Sequence, residues 1–264
     1  FAGFNTDITF NGQQPGISGN LTGESALGNV TLAPGGDAED WVVVDPFTTI
    51  RWNAVTYGED QFVAVGSQGE RVMVSSDGHN WTRHSAAGDN DFWTEITYGQ
   101  GKYVAVGGSL MYSEDGVTWA EPTSAPGYFL MDVAYGSGVF VAVAQGQPAV
   151  YSHDGIHWAT TSIANNDDSW TAVTYGNGLF VAVSESSSGN LVATSPDGVD
   201  WTVRSAAGDD DNWNDVVWGG GQFVAVGDFG DRVMTSPDGI SWTAYPQANF
   251  GGFDEIIYAN GQYV

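Results

Sequence analysis

Three short acidic segments are the first candidates for chemistry in this sequence, because clustered carboxylates can bind a metal ion. They are Asp89-Asn90-Asp91, Asp167-Asp168 and Asp209-Asp210-Asp211. Carboxylate oxygens are ligands that Ca²⁺ prefers. The hypothesis is therefore a Ca²⁺ site with ligands from Asp89, Asp91, Asp167, Asp168, Asp209 and Asp211. The alternative is a solvated acidic rim, since the sequence lacks the spacing of an EF-hand loop.

Aromatic residues near these acidic segments indicate a second chemistry, the binding of a sugar. A ring beside an acidic side chain offers an apolar surface and a hydrogen-bond acceptor to one ligand. Trp93, Trp170 and Trp213 recur at equivalent places and are assigned to the core. Four less regular aromatic residues are the candidate ligand-binding residues: Tyr128, Phe129, Phe229 and Phe250.

Catalysis of the sialidase or glycosidase type would need an arginine cluster for a carboxylate and a distinct acid/base pair. Four of the arginines fall into two pairs at repeated positions, Arg71 with Arg232 and Arg83 with Arg204, and Arg51 is the fifth. Repeated positions favour packing or surface ion pairs. The histidines show no spacing typical of zinc ligands; they are His79, His84, His153 and His157. We therefore expect no catalytic residues and no enzymatic activity.

The charge of the chain excludes two classes of partner. Its 264 residues include 6 Lys+Arg against 32 Asp+Glu, a net charge of −26, and no cysteine. A surface this acidic repels phosphate groups and anionic lipids, so neither nucleic acid nor membrane insertion is expected. A hydrophobic content of 42% with 13% aromatic residues is ample for a folded core.

Five repeats determine the predicted fold. Their shared pattern is W-x-x-V-x-Y-G-x-G-x-F-V-A-V, then a variable loop, then S-x-D-G-x-x-W-T, and the closing residues are Trp81, Trp119, Trp158, Trp201 and Trp242. A period near 40 residues, composed of short strand-like pieces, is typical of propeller blades. In the first repeat the predicted strands are 52–57, 62–65, 72–75 and 81–84. Glycine-rich turns such as Gly99-Gln100-Gly101 and Gly176-Asn177-Gly178 are predicted to join the first two strands of other repeats as hairpins.

The two ends of the sequence match the two halves of a further repeat. Residues 253–264 repeat the first two strands, whereas Val30-Thr31-Leu32 and Trp41 occupy third-strand and fourth-strand positions. The prediction is an all-β, six-bladed β-propeller of four-stranded blades, closed by N-terminal strands that complete the last blade. The propeller spans residues 28–264, and residues 1–27 are an extended leader or the end of a preceding module.

The five S-x-D-G-x-x-W turns resemble Asp boxes, the hairpins found in sialidases, sortilin-like receptors and many bacterial propellers. They differ in that glycine follows aspartate directly, as in Asp77-Gly78. Aspartate can accept backbone N–H bonds, glycine can adopt positive φ, and tryptophan can cover the hairpin. The resemblance implies a propeller fold and does not imply catalysis.

A narrower resemblance is to repeats in tail and fibre proteins of marine phages, especially cyanophages. It rests on residues 175–213 and 81–91, and on the leader's Gly19-Asn20-Leu21-Thr22-Gly23. It implies a virion structural protein that presents a host-recognition, glycan-binding surface, with other tail proteins and a host glycan or receptor as partners. The alternatives are a secreted bacterial propeller lectin or adhesin and a sialidase-like glycosidase, since one fold hosts many functions.

Overall fold

The computed structural model describes residues 10–11, 30–31, 42–43, 51–67, 71–88, 92–163, 169–185, 191–207, 212–228, 233–245 and 252–264. These residues form β-strands and no helix, which confirms the all-β prediction. Accordingly, no described helix could cross a membrane. The chain divides into two compact units, Phe1–Glu121 and Pro122–Val264.

The first unit contains two main sheets and one two-stranded sheet. Its strands are β1 (Phe10–Asn11), β2 (Val30–Thr31), β3 (Val42–Val43), β4 (Arg51–Gly58), β5 (Gln61–Ser67), β6 (Val72–Ser75), β7 (Thr82–His84), β8 (Trp93–Gly99), β9 (Lys102–Gly107) and β10 (Leu110–Ser113). The sheet orders are β1-β4-β5-β6-β7, β10-β9-β8 and β2-β3. Strand β1, within the predicted leader, pairs in parallel with β4, and the other pairs are antiparallel.

The second unit contains three four-stranded antiparallel sheets and a final hairpin. Its strands are β11 (Asp132–Gly136), β12 (Val139–Val143), β13 (Ala149–Ser152), β14 (Ala159–Thr161), β15 (Trp170–Gly176), β16 (Leu179–Ser184), β17 (Leu191–Ser195), β18 (Thr202–Ser205), β19 (Trp213–Gly219), β20 (Gln222–Gly227), β21 (Val233–Ser236), β22 (Thr243–Ala244), β23 (Tyr258–Ala259) and β24 (Gln262–Tyr263). Each sheet follows chain order: β11 to β14, β15 to β18, β19 to β22, and β23 with β24.

The first two strands of each repeat meet in a two-residue turn with positive φ at both positions. Gln100 and Gly101 have φ of 48° and 71°, and Asn177 and Gly178 have 50° and 79°. This geometry matches the right-handed twist of the paired strands and favours Asn-Gly and related pairs. The predicted glycine-rich hairpins are therefore confirmed.

The second strand of each repeat is buried on both faces, as its unbroken apolar sequence predicts. Residues Phe140–Val143 are fully buried, and the alanine of the motif has no exposed surface in any of the five copies. Alternate side chains enter different clusters: Val181 packs with Trp213, whereas Ala182 packs with Trp170. The sheet formed by β15 to β18 is thus covered on both faces by neighbouring sheets of its unit.

The second repeat lacks the predicted fourth strand. Tyr112 and Ala120 exchange both backbone hydrogen bonds, at 2.9 and 3.0 Å, and form an isolated bridge. The next hydrogen-bonded position on this strand falls at Pro122, by analogy with His84 opposite Val72 in the first sheet. Proline has no N–H to donate, so the ladder ends there.

Four glycines at the ends of first strands receive an aromatic ring from the next sheet. Tyr98 covers Gly58 in the first unit, and in the second unit Tyr175 covers Gly136, Trp218 covers Gly176 and Tyr258 covers Gly219. A Cβ atom at any of these glycines would overlap the ring. The rings themselves pack against the second strand of their own hairpin, with centroids 4.5 to 4.8 Å apart.

The described residues thus form five main sheets, with β2-β3 and β23-β24 as separate two-stranded pairs. This arrangement is consistent with a propeller and does not establish the number of blades. The pairing of β2 with β3 agrees with the predicted third and fourth strand positions at the N-terminus. Closure of a sixth blade by residues 253–264 remains a prediction.

We expect Gly176→Ala to destabilise the fold by about 1–3 kcal/mol, because the added methyl group must displace the Trp218 ring from a packed interface. The urea midpoint of unfolding measures this change. Gly127→Ala is the matched control, because no atom lies within 4 Å of its added Cβ. Equal midpoints for the two variants would contradict the ring contact as a packing constraint.

Candidate functional site

Five turns between the third and fourth strands share one hydrogen-bond pattern, and we call them the SxDG turns: 75–78, 113–116, 152–155, 195–198 and 236–239. The buried serine hydroxyl accepts the glycine N–H at 2.8–2.9 Å and donates to aspartate Oδ1 at 3.0–3.1 Å. The tryptophan Nε1 donates to the glycine carbonyl at 3.0–3.2 Å. Each glycine has φ between 71° and 75°. The positive φ predicted for the glycine is confirmed, and the tryptophan lies against the turn as predicted, whereas the serine bonds were not predicted.

The SxDG aspartates are ionised acceptors within their own turns. Asp115 Oδ1 accepts the N–H groups of Thr118 at 2.6 Å and Val117 at 2.8 Å. The Thr118 bond, which outweighs desolvation, lowers the pKa of Asp115 to about 2. Backbone hydrogen bonds likewise lower the pKa of Asp77, Asp197 and Asp238. These carboxylates are engaged in holding the turn, which argues against their use as acids or bases.

Two further carboxylates, Asp132 and Asp215, join neighbouring sheets of the second unit. Asp132 accepts the N–H of Val133 at 2.6 Å through Oδ1 and that of Val173, on β15, at 2.6 Å through Oδ2. Asp215 accepts the N–H groups of Val216 at 2.7 Å and Ile256 at 2.8 Å in the same way.

These bonds lie next to register shifts between Trp170 and Ala172 and between Trp213 and Asp215. Val173 itself pairs with Ala182 and belongs to β15, an edge strand of its sheet. The Asp132 carboxylate, from the preceding sheet, accepts the N–H that Val173 directs away from β16. Asn214 supplements the link from Asp215 to Ile256, because its Nδ2 donates to the carbonyl of Phe253 at 2.9 Å.

Asp132 and Asp215 titrate well above the ordinary range of aspartate. Desolvation, followed by the negative charge of Asp215, raises the pKa of Asp132. Desolvation raises the pKa of Asp215 to about 6, against the opposing bonds from Ile256 and Val216. Perturbed pKa values often mark functional sites, but structural networks produce them too. Here both oxygens of each carboxylate are occupied by backbone donors, so the arrangement is structural.

The connection before β11 departs from the repeat, because it replaces the acidic segment with Glu121-Pro122-Thr123-Ser124-Ala125-Pro126-Gly127-Tyr128. Three contacts fix it to its sheet. Ser124 Oγ accepts the Trp158 N–H at 2.8 Å, the Tyr128 hydroxyl donates to the Pro148 carbonyl at 2.8 Å, and the Met131 N–H donates to Val143 at 2.8 Å. Desolvation raises the pKa of Tyr128.

Beside this connection lies a polar pair that sequence reasoning missed. Gln145 Nε2 donates to Glu185 Oε1 at 2.7 Å, and Gln145 also forms a β-bridge with Ser169. Glu185 N–H donates to the Ser169 carbonyl at 3.0 Å. Phe129, with 42% of its surface exposed, precedes the Met131 contact and follows Tyr128. We call Phe129, Gln145 and Glu185 the loop patch.

Two of the candidate ligand-binding residues lie among the described residues, and they differ in exposure. Tyr128 is partly buried with its hydroxyl engaged, whereas Phe129 is exposed. The other candidates lie outside the described residues: Phe229, Phe250, Asp89, Asp91, Asp167, Asp168, Asp209 and Asp211. Their assignment to a ligand or to Ca²⁺ remains a prediction. Among the described ranges, no three His, Asp or Glu residues form a group that could hold a metal ion.

We expect Asp115→Ala to cost about 1–2 kcal/mol of folding stability at neutral pH, because two backbone N–H groups and a serine hydroxyl lose their acceptor. The folded pKa lies below the unfolded value, so this stabilisation is present above pH 4 and disappears toward pH 2. Urea unfolding at several pH values tests it. Glu114→Ala, an exposed neighbour in the same turn, is the control. A deficit of the same size at pH 2 would contradict the role of the charge.

We expect stability to fall by about 1–3 kcal/mol as pH rises from 4 to 7, because Asp132 and Asp215 hold protons more tightly in the folded state. Stability is therefore greatest below the unfolded pKa and declines as pH rises through the folded values. The double variant Asp132→Asn/Asp215→Asn should lose this slope, whatever its absolute stability. Glu114→Gln should keep it. An unchanged slope in the double variant would show that other groups cause it.

Comparisons with known proteins support the fold. No family model matches the chain, and no curated protein matches it. Virginiamycin B lyase from Staphylococcus aureus superposes with a TM-score of 0.68 at 12% identity, covering 80% of this chain and 75% of that chain. A streptogramin B lyase gives 0.72 at 8%, covering 84% and 78%. YCF48 bound to D1 peptide gives 0.57 at 15%, covering 79% and 73%. These are β-propeller-like proteins, and the chain accordingly has a propeller repeat fold.

Proposed function

We propose that this chain is a non-catalytic recognition propeller of a virion structural protein from a marine bacteriophage. It belongs to a tail fibre or appendage and presents a glycan-binding surface to the host. The observation that carries the recognition role is the contrast between the repeated polar residues and one connection that departs from the repeat. Repeated polar side chains are engaged in local or sheet-to-sheet hydrogen bonds, whereas the connection before β11 departs from the repeat and exposes Phe129.

The state of the carboxylates supports the absence of catalysis. A glycosidase needs one carboxyl group that can donate a proton and a second that can act as base or nucleophile. The SxDG aspartates accept bonds from their own turns, and Asp132 and Asp215 accept two backbone N–H groups each. Carboxylates engaged in this way are poorly placed to exchange protons with a substrate.

The particle assignment is supported by sequence resemblance. The SxDG turns resemble Asp boxes, and residues 175–213 and 81–91 resemble repeats of cyanophage tail and fibre proteins. A disulfide-free chain with a net charge of −26 also suits a particle in salt water, because charge opposes aggregation and salt screens the repulsion within the fold. Many copies on one particle would raise avidity from weak individual contacts.

Two other functions remain open to the same fold. A secreted bacterial lectin would use the same surface without a particle. A sialidase-like glycosidase would show turnover, as the lyases among the similar structures illustrate that propellers can be enzymes.

We expect mass spectrometry of purified phage particles to find this chain together with tail proteins, and to find it depleted from the particle-free medium. The purified chain should release no fluorophore from 4-methylumbelliferyl sialosides or glycosides, with a commercial sialidase as positive control. Recovery of the chain only in the particle-free fraction would favour the secreted lectin. Steady turnover abolished by one carboxylate substitution would establish a glycosidase.

A further inference from the structure

The loop patch differs from the equivalent positions of the other sheets. Gln145 and Glu185 occupy the same place in successive repeats, where the first, second and fifth repeats have Ser67, Gly108 and Asp228. A hydrogen bond from glutamine to glutamate cannot form where the other repeats have these residues. The pair is therefore specific to the junction between the third and fourth repeats.

The contacts place the three residues of the loop patch at one end of adjacent sheets. Tyr128 and Met131 hold the segment that carries Phe129 against residues 143–148. Gln145 lies within residues 143–148 and binds Glu185 directly. The segment that carries Phe129 is therefore adjacent to the segment that carries Gln145, and Gln145 contacts Glu185.

This surface is open to a ligand. Gln145, Gly146 and Gln147 are exposed, and no atom lies within 4 Å of the position of a Cβ atom at Gly146. Phe129 presents 42% of its surface to solvent. A ligand can thus approach without displacing protein atoms at Gly146.

We infer that Phe129, Gln145 and Glu185 form a subsite for a neutral hexose, with the Phe129 ring against the C–H face of the sugar. This inference rests on the recognition function proposed above and names its ligand class. One N–H of the Gln145 amide donates to one carboxylate oxygen of Glu185. A sugar can then bind one donor, the second N–H of Gln145, and two acceptors, the Gln145 amide oxygen and Glu185 Oε2. A donor beside acceptors matches the adjacent hydroxyl groups of a hexose.

Charge selects against acidic sugars. In the described part of the second unit, Arg204 is the only lysine or arginine, and its Nε donates to Thr194 at 3.2 Å. Glu185 and a net charge of −26 repel a carboxylate ligand. A sialic or uronic acid would also bring its carboxylate to a subsite with no partner of opposite charge among the residues that form it.

The test is saturation-transfer difference NMR of the intact chain with methyl β-D-galactoside, methyl α-D-mannoside and methyl β-D-glucoside, and with N-acetylneuraminic acid as the acidic probe. We expect at least one neutral glycoside to bind and the acidic sugar not to bind. Phe129→Ala and Glu185→Gln should each weaken binding about tenfold, through loss of the ring contact and of the charged acceptor respectively.

Two further variants separate the subsite from general effects of mutation. Phe129→Trp should retain binding, because it keeps an aromatic surface. Phe92→Ala removes a phenylalanine of similar exposure, 46%, that precedes a first strand of the other unit, and should leave affinity unchanged.

The inference is overturned if the wild-type chain binds none of the three neutral glycosides, if Phe129→Ala binds as well as wild type, or if the acidic sugar binds equally well. None of these results affects the location of the chain in a particle. Conversely, absence from purified particles with an intact Phe129-dependent sugar affinity would remove the virion assignment and retain the subsite.

Discussion

Burial of the second strand on both faces is the constraint on which the other features of the two units depend. A single sheet can cover neither face of a strand such as Phe140–Val143, so each sheet requires partners on either side. The alanines of this strand keep the sheets close, and the glycines at the first-strand ends accept rings such as Trp218. Small residues therefore determine how near adjacent sheets can lie.

Edge strands leave backbone groups that the sequence satisfies with carboxylates. Strand β15 is an edge strand, and its Val173 N–H is accepted by Asp132 of the preceding sheet. Asp215 repeats this arrangement toward the N–H of Ile256. Because burial raises the pKa of both, the same carboxylates that link the sheets also make their stability depend on pH.

Much of this architecture was predictable from the sequence because its determinants are local and repeated. Strand β6 was predicted at its observed bounds, and the aspartate, glycine and tryptophan of each SxDG turn have the predicted roles. The second repeat lacks its fourth strand because of one residue, Pro122. An alignment of the repeats does not show this effect, because it compares motif positions and not backbone hydrogen bonds. The Gln145–Glu185 bond joins residues 40 apart that share no motif, so only the fold brings them together.

The hydrogen bonds of the serine hydroxyl and of the tryptophan Nε1 of each SxDG turn lie within seven residues, from the serine to the tryptophan. A segment of the gene that encodes one repeat therefore also encodes these side-chain bonds of its turn. Tandem duplication or unequal recombination could add such a unit without first evolving new turn contacts elsewhere. The connection before β11, once freed from the repeated acidic sequence, could then diverge while the copied turns preserved the fold.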